Sequence, residues 1–307
     1  MVTRVPQDRN GFSLSMSFNA RGSTIMIFST LAFVLNDGLM KIILIELSVY
    51  QAIFLRGLIT IPIMSIMALR TGEFVFKSSL RDKKIILARV AAEVLATLCF
   101  LTALRHMPLG NLTAILQAVP LFVTIAAVLF LEQTLGWRRW IAVTAGFCGV
   151  MVIVRPGLEG FSIYSFWALG AVICVTVREI ATRQLSEDIP SMPVALITAI
   201  AICGFGAINL TGKNWFPLEA SHLGYLTVAG IAIVGGYLFS VMAVRIGDIS
   251  FVSPFRYTGM IWAVALGFLL FGEKPDVPTI LGSIIIIMAG LYSLHRERIN
   301  WKAKNRI

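Results

Sequence analysis

Runs of about twenty apolar residues recur along the chain, with short polar breaks between them. A helix needs about 20 such residues to cross the hydrocarbon core of a bilayer. The runs predict spans at residues 22–43, 48–69, 84–106, 109–131, 137–155, 161–182, 190–210, 222–244, 249–271 and 277–295. The longest connections, Arg70–Lys83 and Thr211–Ser221, leave no room for a soluble domain. The first run is long and no small-residue cleavage site follows it, so it reads as a retained helix and not a signal peptide. The predicted fold is an all-α integral membrane protein of ten transmembrane helices.

Composition agrees. Apolar residues make up 57% of the 307 and charged residues 14%, with a mean hydropathy of +0.84. A soluble domain carries about a quarter charged residues, because its surface must be wet. The formal charge is +10, and its placement decides its meaning. With the N-terminus inside, the inner segments hold seventeen Lys and Arg residues, including the tail Arg296, Arg298, Lys302, Lys304 and Arg306. The outer loops hold four: Arg105, Arg155, Lys213 and Lys274. That bias predicts a bacterial-type inner membrane protein with both termini cytoplasmic. The basic tail then meets anionic lipid headgroups and not nucleic acid. Four scattered cysteines (Cys99, Cys148, Cys174, Cys203) show no CxxC spacing, so neither a metal site nor a disulfide framework is predicted.

The two halves resemble each other at an offset of about 140 residues. Leu131-Glu132 precedes Gly149 by the same interval that separates Gly272-Glu273 from Gly290. Ala103-Leu104-Arg105 matches Ala243-Val244-Arg245. Asp37 and Lys41 sit four apart, as do Glu179 and Arg183. Five spans per half is an odd number, so the second half enters the membrane upside down. Inverted repeats are a common plan in secondary transporters. Small residues (Ala142, Ala145, Gly146 and Gly149 in the fifth span, Ala232 and Gly236 in the eighth) predict close helix packing.

The segment Met107-Pro108-Leu109-Gly110-Asn111, through Ala118-Val119-Pro120-Leu121-Phe122 to Leu131-Glu132 and Gly146–Gly149, resembles the EamA repeat of the drug/metabolite transporter superfamily. Leu270-Phe271-Gly272-Glu273, Gly282 and Gly290 carry the likeness into the second half. The resemblance implies residues 22–155 and 161–295 as two five-helix repeats around a central cavity. It leaves 1–21 as a cytoplasmic N-terminal segment and 296–307 as a basic cytoplasmic tail. Ser253-Pro254-Phe255-Arg256-Tyr257 looks like a subgroup that includes riboflavin and S-adenosylmethionine carriers. The chain departs from the family where Pro120 has no counterpart near Met260. Pro254 comes about six residues earlier, which predicts a break in the ninth span nearer the cytoplasm. Glu132 and Glu273 match the family's repeated glutamate, and their place at helix ends favours a structural interface.

Ionised side chains near mid-bilayer cost a few kcal/mol and usually face protein or water. The candidates are Asp37, Arg56, Arg89, Glu93, Arg178, Glu179 and Arg256. Lys41 and Arg183 lie near span ends and can snorkel to the interface. Arg89 and Glu93, four apart on the third span, can pair. Asp37 is read as a partner of Arg56 or as a proton or cation site. Arg178 and Glu179 are adjacent and point in different directions, so Glu179 is expected to meet a basic residue from another helix. With Lys41, the deep basic residues exceed the deep acids (Asp37, Glu93, Glu179) by two, which favours an anionic or zwitterionic substrate. Arg256 is the leading substrate contact. Tyr257, Gln117 and Trp262 are polar or stacking candidates beside it.

The expected function is therefore an alternating-access carrier for a small metabolite such as an amino acid, a flavin or a nucleoside-type compound. A proton-coupled exporter, with Glu93 or Asp37 as the titrating group, and a non-transporting scaffold are the alternatives. No catalytic constellation or cofactor is predicted, since His106, His222 and His295 lie at span ends.

Overall fold

A computed structural model describes residues 11–71, 79–131, 136–157, 161–186, 188–210 and 215–304. Among these residues every regular element is helical. Helix α1 (Gly11–Glu46) is the first span, α2 (Val49–Thr71) the second and α3 (Leu80–His106) the third. The fourth is split into α4 (Leu109–Leu116) and α5 (Val119–Leu131), and α6 (Trp137–Val154) is the fifth. The second half runs through α7 (Tyr164–Gln184), α8 (Ser191–Leu210) and α9 (Ala220–Ile246). The ninth span comprises α10 (Ile249–Val252), a 3-10 turn (Ser253–Tyr257) and α11 (Thr258–Phe271), and α12 (Val277–Lys304) is the tenth. Nine of these stretches are long and apolar enough to cross a membrane; the apolar part of α6, Trp140–Val154, is shorter.

Local chemistry sets the breaks. Pro120 has no N–H for the Leu116 carbonyl, and its ring would crowd that carbonyl. One irregular turn at Gln117-Ala118 results, with Ala118 N–H donating to the Ile115 carbonyl at 3.1 Å. In the ninth span Pro254 is the second residue of the 3-10 turn. At the repeat offset this turn starts about four residues before the break in the fourth span. The break does lie nearer the N-terminal end of its span, as the position of Pro254 implies. Ser79 and Asp82 form a reciprocal capping box at the start of α3.

Helix packing carries the duplication. Eight spans close a ring in the order first, eighth, second, seventh, third, sixth, fourth, ninth and back to the first. The fifth and tenth pack on one another outside it. Exchanging each span with its counterpart five places on maps this order onto itself. With short connections and five spans per half, the two repeats are inverted copies. Glycines permit the closest approaches. A Cβ on Gly149 would lie 2.9 Å from the Gly282 carbonyl oxygen, and one on Gly282 2.6 Å from that of Gly149. In the eighth span Gly236 faces the Phe33 ring, and its carbonyl accepts a 2.7 Å bond from Ser29. Arg155 leaves α6 in the left-handed conformation and pairs with Asp276 ahead of α12. Partial burial raises the Asp276 pKa, but hydrogen bonds from Thr279 and Arg155 outweigh it and hold the carboxyl below its ordinary range.

Candidate functional site

The ring encloses a cavity of about 590 Å³. Every ring span but the fourth contributes to its wall. The lining begins at one end of the bundle, at Met192 near the start of α8 and Met67 near the end of α2. It reaches mid-bundle at Phe33, Arg56 and Ile202. The opposite end is packed solid: Met40, Ile43 and Leu44 of α1, and Leu47 just after it, are fully buried. Polar ties close it further. Gln51 exchanges two hydrogen bonds with the Phe216 backbone, at 2.8 and 3.1 Å. His222 lies 2.9 Å from Glu46.

A larger knot sits at this sealed end. Lys41 pairs with Glu273 and donates to the Met107 carbonyl at 2.6 Å. The second Glu273 oxygen accepts the Leu109 N–H at 2.7 Å, where a carboxylate complements the positive end of α4. Lys41 also lies 5.0 Å from the Phe271 ring. Lys41 therefore does not snorkel; four ring spans, the first, third, fourth and ninth, meet at this contact. Glu132, the other repeated glutamate, lies outside the described residues.

Six of the charged side chains singled out in the sequence converge on the cavity: Arg56, Arg89, Glu93, Arg178, Glu179 and Arg256. Their pairing differs from the expected one. Arg178 donates to both oxygens of Glu93, at 3.1 and 2.9 Å, and to Glu179 at 2.6 Å. The fork of one guanidinium reaches its neighbour on α7 and the facing α3 together, so adjacency in sequence did not keep Arg178 and Glu179 apart. Arg89, expected on Glu93, instead bonds the hydroxyls of Thr182 and Thr198 at 3.0 and 2.8 Å. Asp37 makes no direct ion pair with Arg56. Asn36 stands between them, donating to Asp37 at 2.9 Å and receiving a long 3.4 Å contact from Arg56.

Arg256 is exposed in the cavity wall, and its guanidinium has no hydrogen bond or ion pair with any described residue. The other four candidates lie off the cavity lining. Asp37 sits behind Asn36. The Gln117 amide approaches Gly259 of α11 across the contact between the fourth and ninth spans. Tyr257 is buried against Gly290 of α12. Trp262 packs on the core with its indole N–H buried and without a partner among the described residues. The residues missed in the sequence are soft or neutral and include Met26, Met64, Met67 and Met192, and the hydroxyls of Thr60 and Thr198. Nothing in apolar runs marks a methionine as cavity-facing, although its flexible thioether suits an adaptable lining.

The wall holds four arginines and two glutamates, a formal excess of two positive charges. The charges are grouped. Glu93, Arg178 and Glu179 form a triad of net charge −1, while Arg256 stands alone as +1. Such a chamber can hold a polar solute out of contact with lipid and orient it by charge.

Comparisons with known proteins match this architecture. The EamA-like transporter family aligns with residues 20–155 and 162–294, one copy per half. An S-adenosylmethionine uptake transporter of Rickettsia conorii is 28% identical over 65% of this chain and 66% of its own length. A riboflavin transporter of Vibrio cholerae is 30% identical over 66% of this chain and 68% of its own. These matches therefore span about two thirds of each relative. A pseudopaline exporter of Pseudomonas aeruginosa is 22% identical over 87% of this chain and 94% of its own. A solved crystal structure superposes over 94% of the chain with a TM-score of 0.58 at 14% identity, a likeness of fold alone. With two family repeats matched to two inverted five-helix halves, this chain belongs to the EamA-like transporter family of the drug/metabolite transporter superfamily and has the helices of a multi-pass membrane protein.

Proposed function

We propose that the protein is a secondary active carrier that moves a small anionic or zwitterionic organic metabolite across a bacterial-type inner membrane by alternating access. The unpaired Arg256 guanidinium in the cavity wall carries this reading. An arginine left unbonded in a cavity is poised for a carboxylate or phosphate, which its planar fork binds through two hydrogen bonds. The net −1 triad nearby complements a positive group on the same solute. The cavity volume suits a metabolite larger than a free amino acid, in the size range of common ligand pockets. With both termini cytoplasmic, the open end faces the cytoplasm. Named relatives take up S-adenosylmethionine, transport riboflavin or export pseudopaline, and these solutes define the first probes.

A proton-coupled exporter is the second reading. It is favoured by Glu93 and Glu179, two carboxylates in the cavity wall, and by the long alignment with the pseudopaline exporter.

Thermal stabilisation of the purified protein by a metabolite panel tests both. The panel includes S-adenosylmethionine, riboflavin, amino acids and nucleosides. A ligand at about a hundred times its Kd adds about 2.7 kcal/mol to the folded state. The hit is then assayed in proteoliposomes with and without a proton gradient. Arg256→Ala is expected to insert and fold, and to bind the hit about ten- to a hundredfold more weakly, matching about 1.5–3 kcal/mol for a charge-assisted bond. Undiminished binding and transport by that variant would remove Arg256 from the site.

A further inference from the structure

Arg256 belongs to a 3-10 turn whose two neighbours are pinned on opposite sides. On one side the Thr258 hydroxyl meets that of Thr30 in α1 at 2.9 Å, and also donates to the Phe255 carbonyl at 2.6 Å. On the other side the Tyr257 ring stands in a notch of α12 made by Gly290. A Cβ on Gly290 would overlap the Tyr257 hydroxyl and lie 2.6 Å from its Cζ. Tyr257 is 7% exposed, and its hydroxyl is buried with no hydrogen-bond partner among the described residues. Leaving a hydroxyl so placed costs about 1–3 kcal/mol. The notch thus holds the ring for its shape and not for its hydrogen bond. A stiff aromatic wedged between a helix break and a glycine fixes the turn that bears the unpaired guanidinium.

We infer that Gly290 and Tyr257 are positioning residues that aim Arg256 into the cavity. The inference rests on the assignment of Arg256 to the substrate site. Pro254 keeps this turn from winding into α-helix, and the Tyr257 wedge against Gly290 fixes the rotation at which the turn meets the cavity wall. Without the wedge the turn rotates about the helix axis and carries residue 256 away from the cavity, toward the packed wall. Filling the notch with Gly290→Ala and emptying it with Tyr257→Leu both remove the support, by opposite means. Both are therefore expected to withdraw Arg256 from water.

The test needs no cargo. Purified wild type, Gly290→Ala and Tyr257→Leu are treated with phenylglyoxal, and modification of Arg256 and Arg245 is followed by mass spectrometry. Arg245 lies exposed near the end of α9 and serves as the internal standard. Arg256 is expected to react at least threefold more slowly in either variant, with Arg245 unchanged. If Gly290→Ala does not fold, Tyr257→Leu decides. An Arg256 rate in a folded variant that equals or exceeds that of wild type overturns the inference. Because the readout is chemical accessibility, this failure is separate from a failure of Arg256→Ala to alter binding. Once cargo is known, the same variants are expected to raise KM for an anionic solute while leaving the maximal rate within twofold.

Discussion

Arg178 is where the charges of the cavity are reconciled. Two carboxylates from facing helices share its guanidinium, and all three side chains keep about a quarter to two fifths of their surface open. Removing one partner of a fully buried pair costs about 3–5 kcal/mol. Partial exposure lowers that figure, so Arg178→Ala is expected to destabilise the protein by about 1–3 kcal/mol. Arg178→Lys keeps the charge but loses the fork, and should fall between the two. Thermal unfolding in detergent checks the order; an Arg178→Ala protein as stable as wild type would mean that the triad is solvated and not structural. At this scale the sequence was partly legible. A charge inside an apolar run stands out, so the six charged residues of the wall could be named. Their partners could not, because a long side chain selects among acceptors by helix rotation, which apolar runs do not report. Arg89 and Glu93 had the right spacing to pair, yet Thr182 and Thr198 took Arg89 instead.

The helices divide into those that bound the cavity and the short segments that tie its ends. At the open end, polar ties stay local: Ser186 bonds Asp82, at 2.9 Å, between the third and sixth spans, and Asn19 accepts the Asp248 N–H, at 2.9 Å, between the eighth–ninth connection and the first span. At the sealed end, the Lys41–Glu273 contact joins the first and ninth spans to the connection between the third and fourth. In the proposed alternating-access cycle, opening that end requires this contact to break. Lys41→Ala and Glu273→Gln are therefore expected to shift the carrier toward the opposite-facing state. Spin-label distances across the sealed end report it, with a longer population growing in both variants. An unchanged distance distribution would make the knot a plain structural joint. Sequence reading found Glu273 as a repeated position and missed Lys41 as its partner. Lysines near span ends commonly reach the interface, and only the arriving ninth span supplies a better acceptor.

The whole molecule is two copies of one five-helix unit, interleaved so that each wall of the cavity mixes helices from both. The spans and the duplication were legible because lipid demands long apolar runs and odd spans force inversion. The ring order was not, since lipid-facing and protein-facing surfaces are nearly equally apolar and leave little amphipathic signal. That interleaving is what lets side chains such as Arg56 and Arg256, from opposite repeats, look into one chamber.

Aqueous access to that chamber from one side is the central claim, and cysteine labelling tests it most directly. In a background where Cys99, Cys148, Cys174 and Cys203 are replaced by alanine, single cysteines are placed at Ala195, Ala199 and Ser240 of the cavity wall and at Ile231 on the outer surface. A small charged methanethiosulfonate reagent is expected to modify the three wall positions from the side bearing the termini and to spare position 231. Wall cysteines that stay unmodified, or that react equally from both sides at once, would contradict a wet cavity open to one face.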